Sequence, residues 1–431
     1  MQLREVGGFE SRGGLENGVV GRGGCVDVGR EVQGSLLRHG GIITTGPPLQ
    51  TRNSCCKQRK VAHGQDCAEP LDSCPMRFQS VQIAHVAYDL PPESGIVTSL
   101  QLEQRLAPLY ERLSLHAGRI ELMSGIRERR FYAPGTRPSA IATRAGQRAL
   151  EGAAKVGLNR DSIGQLIFSS VCRDFLEPAS ASVVHDALGL PPTAMSFDLS
   201  NACLGFANAM ALAANLIESR AIDSALIVAG EDGGPLCEGT VRALLAPGIT
   251  RKDLKRAVAS LTIGSGGAAM VLAHESLLPA TDATGAPFPH LTTATQHSAT
   301  EHNLLCQGDH TEGGAMLMNT DSEALLKAGV ALAKRTWEAF RQESGWDAGK
   351  VERVITHQVG TAHRRALLDG VGLSPAKDHP TVEFLGNIGS VSLPITYALA
   401  RESGFASAHH PTALLGIGSG LNCSMLALET R

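Results

Sequence analysis

The 431-residue sequence predicts an α/β protein built from a duplicated unit. Two observations carry this. Short apolar runs of strand length alternate with longer Ala-rich runs of helical period, the pattern of a sheet buried on both faces. Two pairs of the strand-like runs also recur at one spacing. Leu166-Ile167-Phe168-Ser169-Ser170-Val171 precedes Ala225-Leu226-Ile227-Val228 by 59 residues (225 − 166), and Val354-Ile355-Thr356-His357 precedes Ala413-Leu414-Leu415-Gly416 by the same 59 (413 − 354). That period is too long for a solenoid repeat and implies duplication of an α/β unit.

Residues 1–75 differ from the rest. They are rich in Gly, Arg and polar residues, as in Gly21-Arg22-Gly23-Gly24, and hold no sustained period. They are expected to be a disordered or mis-assigned N-terminal extension. A regular pattern opens at Met76 with Phe78, Val81, Ile83 and Val86. The first half is placed at 76–277. It contains an Ala-rich helix over Ala140–Val156, the two apolar strands, and a strand-like Ala194–Leu199 that feeds a helix from Phe206 to Ile217. A charged helix over Arg251–Ala259 and a Gly-kinked strand over Leu261–Leu272 follow. The Pro/Thr/Gly-rich stretch Leu278–His290 connects to the second half, 290–431, with its helix over Glu323–Phe340.

Composition narrows the class. A net charge of −3 leaves no basic footprint for nucleic acid. No apolar run is long enough for a membrane span, and no apolar segment near the N-terminus reads as a secretory signal. Of the ten cysteines, five (Cys25, Cys55, Cys56, Cys67, Cys74) precede Met76, and Cys172, Cys203, Cys237, Cys306 and Cys423 are scattered without Cys-x-x-Cys spacing. Neither a zinc site nor a disulfide framework is expected, and a reducing cytoplasm is.

Four places carry candidate chemistry, each where a strand ends and a helix or loop begins. Cys203, in Asn201-Ala202-Cys203-Leu204-Gly205-Phe206, sits at a strand-to-helix turn where backbone N–H groups and the helix dipole favour a thiolate. The competing reading is a small buried core residue. His357 closes a strand ahead of Gln358-Val359-Gly360 and is a candidate acid, base or donor beside a placed Cys. Asn387, in Gly386-Asn387-Ile388-Gly389-Ser390, is either a turn residue or an amide donor to an oxyanion. Gly416-Ile417-Gly418-Ser419-Gly420-Leu421-Asn422 has no following Lys-Ser/Thr, so it is not a P-loop; its glycines let backbone N–H groups approach a reacting carbonyl.

In this order, these motifs resemble the thiolase superfamily, specifically the ketoacyl synthase III-like condensing enzymes, over residues 76–431. Ser124-Gly125-Ile126-Arg127-Glu128-Arg129-Arg130 adds an early Gly-Ile-x-x-Arg signature. The resemblance implies a duplicated five-layer α-β-α-β-α sandwich, usually a homodimer. Arg173-Asp174-Phe175-Leu176-Glu177-Pro178-Ala179-Ser180 and Gly416–Ser424 are most similar to the OleA-type branch, which joins two acyl-CoAs head to head. There a glutamate matching Glu177 reaches the partner subunit's site as a base; without the resemblance, Glu177 reads as a solvated loop carboxylate. Two departures concern CoA binding. Val359-Gly360-Thr361 follows His357-Gln358, and Met123 and Arg119 stand where fatty-acid initiation enzymes clamp the adenine with Arg and Trp.

The resemblance implies ping-pong Claisen condensation. Cys203 takes an acyl group from CoA, and the N–H groups of Cys203 and Ser419 hold that oxyanion. His357 and Asn387 stabilise the enolate of a second thioester, formed with Glu177 as base. No cofactor or metal is expected; CoA or phosphopantetheine thioesters are substrates. Decarboxylative condensation of an acyl-CoA with malonyl-acyl carrier protein is the alternative, followed by an inactive thiolase-like binding protein and a Cys–His–Asn hydrolase. Gly205, Ala207 and Ala209 suit either a roomy acyl tunnel or ordinary helix packing.

Overall fold

The computed structural model describes residues 76–310 and 316–431. The first half runs β1 (Met76–Arg77), β2 (Val81–Asp89), β3 (Ile96–Thr98), α1 (Ser99–Arg105), α2 (Ala107–Arg112), α3 (Arg119–Ser124), β4 (Glu128–Arg130), α4 (Pro138–Ala154), β5 (Gln165–Phe168), α5 (Ser180–Leu188), β6 (Met195–Asp198), α6 (Gly205–Glu218), β7 (Ser224–Glu231), α7 (Gly234–Leu244), α8 (Arg251–Leu261) and β8 (Gly266–His274). The second runs β9 (His290–Ser298), β10 (Cys306–His310), β11 (Met316–Thr320), α9 (Ser322–Ser344), β12 (Arg353–Thr356), α10 (Thr361–Val371), α11 (Val382–Leu385), α12 (Ser392–Glu402), β13 (Thr412–Gly418) and β14 (Asn422–Glu429).

The duplication is visible in the pairing. In the first half β2 pairs antiparallel with β8, β8 antiparallel with β7, β7 parallel with β5, and β5 parallel with β6. In the second half β9, β14, β13 and β12 repeat that path with the same senses, and a bridge from Val354 to Asp378 lies where β6 lies in the first. In the sheet the halves are joined by β1, which pairs antiparallel with β9, and by the pair of Gln82 with His290.

Strand alternation builds the layers. On β7, Ala225, Ile227 and Ala229 face one apolar cluster, while Leu226 and Val228 face another. On β14, Leu426 and Leu428 join the first cluster, and Met425 and Ala427 a third. Period-two side chains buried on both faces need helices on both faces. Helices α4 and α5 cover the outer face of the first half, and α9 and α10 that of the second. Between the halves lie α6 and α12, both buried on almost every side. This is the expected five-layer thiolase sandwich. Ala207 and Ala209 belong to this central packing, and a Cβ on Gly205 would sit 3.0 Å from the Ser169 carbonyl oxygen. None of the three lines the site cavity, so helix packing is the reading that holds.

Two element boundaries differ from expectation. The strand expected over Leu261–Leu272 begins only at Gly266, because α8 runs through Leu261. Thr250 and Asp253 form a capping box that fixes the start of α8, and its apolar face packs with α1–α3 and α7 in a fourth cluster. The first apolar run stops pairing at Phe168. Ser169 and Ser170 remain buried, while Val171 turns outward. Residues 1–75, with their five cysteines, lie outside the described residues. Among those described, no helix is long and apolar enough to cross a membrane.

Candidate active site

Cys203 lies between β6 and α6, on a turn strained at Ala202, whose φ is +45°. Non-glycine residues in that region cost free energy and persist only where the surroundings enforce them. The surroundings are specific. Leu204 N–H donates to the Asn201 carbonyl at 2.9 Å. Asn201 Nδ2 donates to Asn208 Oδ1 on α6 at 2.6 Å, and Asn201 Oδ1 accepts from Asn422 Nδ2 at 3.2 Å. Asn422 also holds the Ser419 carbonyl at 3.3 Å, so one amide pair ties the nucleophile turn to the glycine-rich loop.

That loop's glycines have a packing role. A Cβ on Gly416 would lie 2.5 Å from Leu204 Cδ2, and one on Gly418 3.0 Å from Leu204 Cγ. The side chain following Cys203 fills the space they leave.

His357 follows β12, with its N–H on the Leu415 carbonyl at 2.8 Å. Beneath it, Asp378 accepts from Thr356 N–H and Oγ1 and pairs with Arg364. Gln358 is fully engaged: Oε1 accepts from Thr381 and Val382 N–H, and Nε2 donates to the His379 carbonyl. It orients backbone and leaves His357 as the reactive member of the pair. Both ring nitrogens of His357 are buried without a partner. Burial, with a smaller contribution from His363, holds its pKa down to about 4, so the imidazole is neutral near pH 7.

Asn387 is pinned on both sides of its backbone, by Thr262 O and Gly264 N–H at 2.9 Å each. Gly386, at φ +69°, passes 2.6 Å (for an added Cβ) from the Thr262 carbonyl, so only glycine fits. Asn387 Oδ1 accepts from Gly389 N–H at 3.1 Å, which leaves the amide nitrogen to serve a ligand.

These groups share one cavity of about 540 Å³. Cys203, His357, Asn387 and Ser419 all line it, and its walls are chiefly apolar, including Leu325, Val330 and Ile417. The environment of Cys203 differs from the expected thiolate-favouring turn. Burial pushes the thiol up to about 12, with Cys306 and Glu231 adding to the shift and its own backbone N–H only partly offsetting it. Near pH 7 the residue is a neutral thiol, because desolvation outweighs the lowering by its own backbone N–H. Met123 also lines the cavity; Arg119 does not.

Glu177 is not brought to this cavity. It is exposed on the Val171–Ala179 loop, beside Phe175 and Leu176, the latter 97% exposed. The loop is fixed at its root: Val171 and Cys172 N–H donate to Glu231, and Asp174 accepts from Ser139 N–H and Oγ. Glu231 is a cavity residue that sequence reasoning missed. Its signal was an acid closing the wholly buried strand β7.

Comparison with known proteins agrees with this arrangement. Residues 197–245 match the 3-oxoacyl-[acyl-carrier-protein (ACP)] synthase III family, and residues 342–430 its C-terminal domain. The chain is 38% identical over 358 residues to the acyl-CoA:acyl-CoA alkyltransferase of Shewanella oneidensis, covering 82% of this chain and 100% of that protein. It is 39% identical over 350 residues to the enzyme of the same name from Xanthomonas campestris, covering 81% and 98%. The chain belongs to the acyl-CoA:acyl-CoA alkyltransferase family. Solved structures of Xanthomonas campestris OleA match it with a TM-score of 0.76 and 37% identity, among them a cerulenin-bound form and a Cys-to-Ser variant with bound lauric acid and lauroyl-CoA. Each covers 82% of this chain and 98–100% of the solved one. The thiolase fold and the synthase III-like condensing class of the alkyltransferases are thus those of this chain.

Proposed function

We propose that this protein condenses two acyl-CoA thioesters head to head, giving a 2-alkyl-3-oxoacyl-CoA and free CoA through an acyl-Cys203 intermediate. The observation that carries the reading is the convergence of Cys203, His357 and Asn387, from both halves of the chain, on one apolar cavity. Apolar walls suit an alkyl chain, and the three polar groups suit a thioester carbonyl.

The chemistry follows from the two shifted groups. Cys203 starts as a thiol, so its proton must leave as sulfur attacks; the departing CoA sulfur is its final acceptor. A histidine with a pKa near 4 is a weak base but a good neutral donor, so His357 serves best by donating to an oxyanion, with the Asn387 amide beside it. The N–H groups of Cys203 and Ser419 are assigned to the acylation oxyanion. In the second step a carboxylate removes the α-proton of the second thioester, the enolate carbon attacks the acyl carbonyl, and Cys203 leaves as thiolate and recovers a proton. The assigned base is the partner subunit's Glu177. Its exposure beside apolar Phe175 and Leu176, and the loop's fixed root, support a role across a homodimer interface. No metal or cofactor is required, because His357 and Asn387 supply the charge stabilisation. The proposed setting is cytoplasmic lipid metabolism, and the name acyl-CoA:acyl-CoA alkyltransferase carried by the relatives supports CoA over acyl carrier protein as the carrier.

Purified protein incubated with myristoyl-CoA alone should release CoA and form the condensed product. Turnover only after addition of malonyl-acyl carrier protein would overturn this reading in favour of decarboxylative condensation.

A further inference from the structure

Glu231 closes β7 at its carboxyl end, 4% exposed, on the wall of the same cavity. Four donors converge on it. Val171 N–H at 2.9 Å, Ser390 Oγ at 2.5 Å and Ser390 N–H at 3.4 Å reach Oε1; Cys172 N–H at 3.1 Å reaches Oε2. It forms no ion pair among the described residues; burial raises its pKa, and the hydrogen bonds from Ser390, Val171 and Cys172 pull it back down.

The donors come from two places. Val171 and Cys172 open the loop that carries Glu177. Ser390 belongs to the turn that carries Asn387, in the other half of the chain. Contact with that turn is direct: a Cβ on Gly389, at φ +58°, would lie 3.3 Å from Glu231 Cδ, and Gly389 N–H in turn holds Asn387 Oδ1. Three of the donors fall on Oε1 and one on Oε2, so the carboxylate is committed chiefly to holding these two segments. Glu231 is therefore well placed as an anchor.

We infer that Glu231 is a positioning residue for the condensation step, one buried carboxylate that sets both the Asn387 turn and the root of the Glu177 loop. The inference rests on the proposed roles of Asn387 and Glu177. It separates the two half-reactions. Acylation of Cys203 uses neither group, and loss of the Glu231 charge lowers rather than raises the cost of forming a thiolate, since Glu231 adds to the upward shift of Cys203. Condensation uses both.

Glu231→Gln keeps the shape but turns an NH2 group toward a backbone N–H donor, so the four donors cannot all be satisfied. Ser390→Ala removes a single donor and leaves the carboxylate in place. Each full-length variant is assayed for acyl-Cys203 formation from myristoyl-CoA by intact-protein mass spectrometry, and for 3-oxoacyl thioester by product analysis. The expected result is acylation within about threefold of the parent, with condensation reduced about 100-fold in Glu231→Gln and about 10-fold in Ser390→Ala, the scale of a misplaced oxyanion donor. Condensation at the parental rate in either variant overturns the inference. So does an equal fall in both half-reactions in Ser390→Ala, which would mark a purely structural role; this variant decides if Glu231→Gln does not fold. Should the parent itself condense only with a malonyl carrier, the proposed function fails separately. The same comparison then runs with that donor, because Asn387 serves either enolate.

Discussion

Asn422 Nδ2 donates to Asn201 Oδ1 at 3.2 Å, and this bond joins the second half of the chain to the first beside the nucleophile. Asn201 in turn holds Asn208 on the helix that starts behind Cys203. The strained Ala202 turn is thus braced from two directions. Asn201→Ala should strand both amide partners and destabilise the fold by about 1–3 kcal/mol. It should also slow acylation of Cys203 more than it lowers the substrate's binding. Thermal unfolding and the burst of CoA release measure the two effects; an unchanged burst would mean that the brace does not set the nucleophile.

The glycine-rich loop makes a packing prediction. Gly416→Ala places a Cβ against Leu204 and should cost about 1–3 kcal/mol as an overpacked core. Leu204→Val in the same chain should recover part of that loss, giving a coupling of at least about 0.5 kcal/mol in a double-mutant cycle. Additive effects would show that the contact is relieved elsewhere.

The shifted thiol makes a pH prediction. With Cys203 pushed up to about 12, the rate of its alkylation by iodoacetamide in the substrate-free protein should rise continuously from pH 7 to 10, without the plateau of an ordinary cysteine. A plateau near pH 8 would show that the helix terminus overcomes burial.

His357 links pH to stability. Its pKa is depressed in the folded protein, from 6.5 to about 4, so the unfolded chain binds the proton first. Stability should then fall as pH drops below about 6.5 and stop falling below about 4, with a contribution of about 2 kcal/mol at pH 5. His357→Asn should remove that part of the slope between pH 7 and 5 in urea unfolding. An unchanged slope would assign it to the other buried histidines.

Subunit complementation tests the assignment of Glu177. Glu177→Gln should acylate Cys203 normally and fail to condense. Cys203→Ser should do neither. A mixture of the two, allowed to exchange subunits, should recover condensation, because one mixed site holds an intact Cys203 and an intact glutamate from its neighbour. A fully active Glu177→Gln protein would reject the base assignment.

Much of the architecture was legible in the linear chain because burial imposes composition. Strands covered on both faces must be apolar throughout, which is why Leu166–Phe168, Ala225–Val228, Val354–Ile355 and Ala413–Leu415 stood out, and duplication preserved their spacing. The Cys203, His357 and Asn387 motifs were legible because turns at strand ends demand particular residues. Boundaries were less so: Leu261 to Ser265 is as apolar and glycine-rich as a strand, yet packing gives Leu261 to α8 and sheet pairing starts only at Gly266.

What the sequence determined alone was the duplicated α/β order and the residue types able to carry acyl chemistry. Tertiary structure decided their environment. Whether Cys203 is a thiolate depends on the balance of a local helix terminus against long-range desolvation, and that balance is set by walls from both halves. Glu231 gave no motif because its four donors come from positions about 60 residues before it and 159 after it. A residue whose role is to hold distant segments together has no signature in its own neighbourhood.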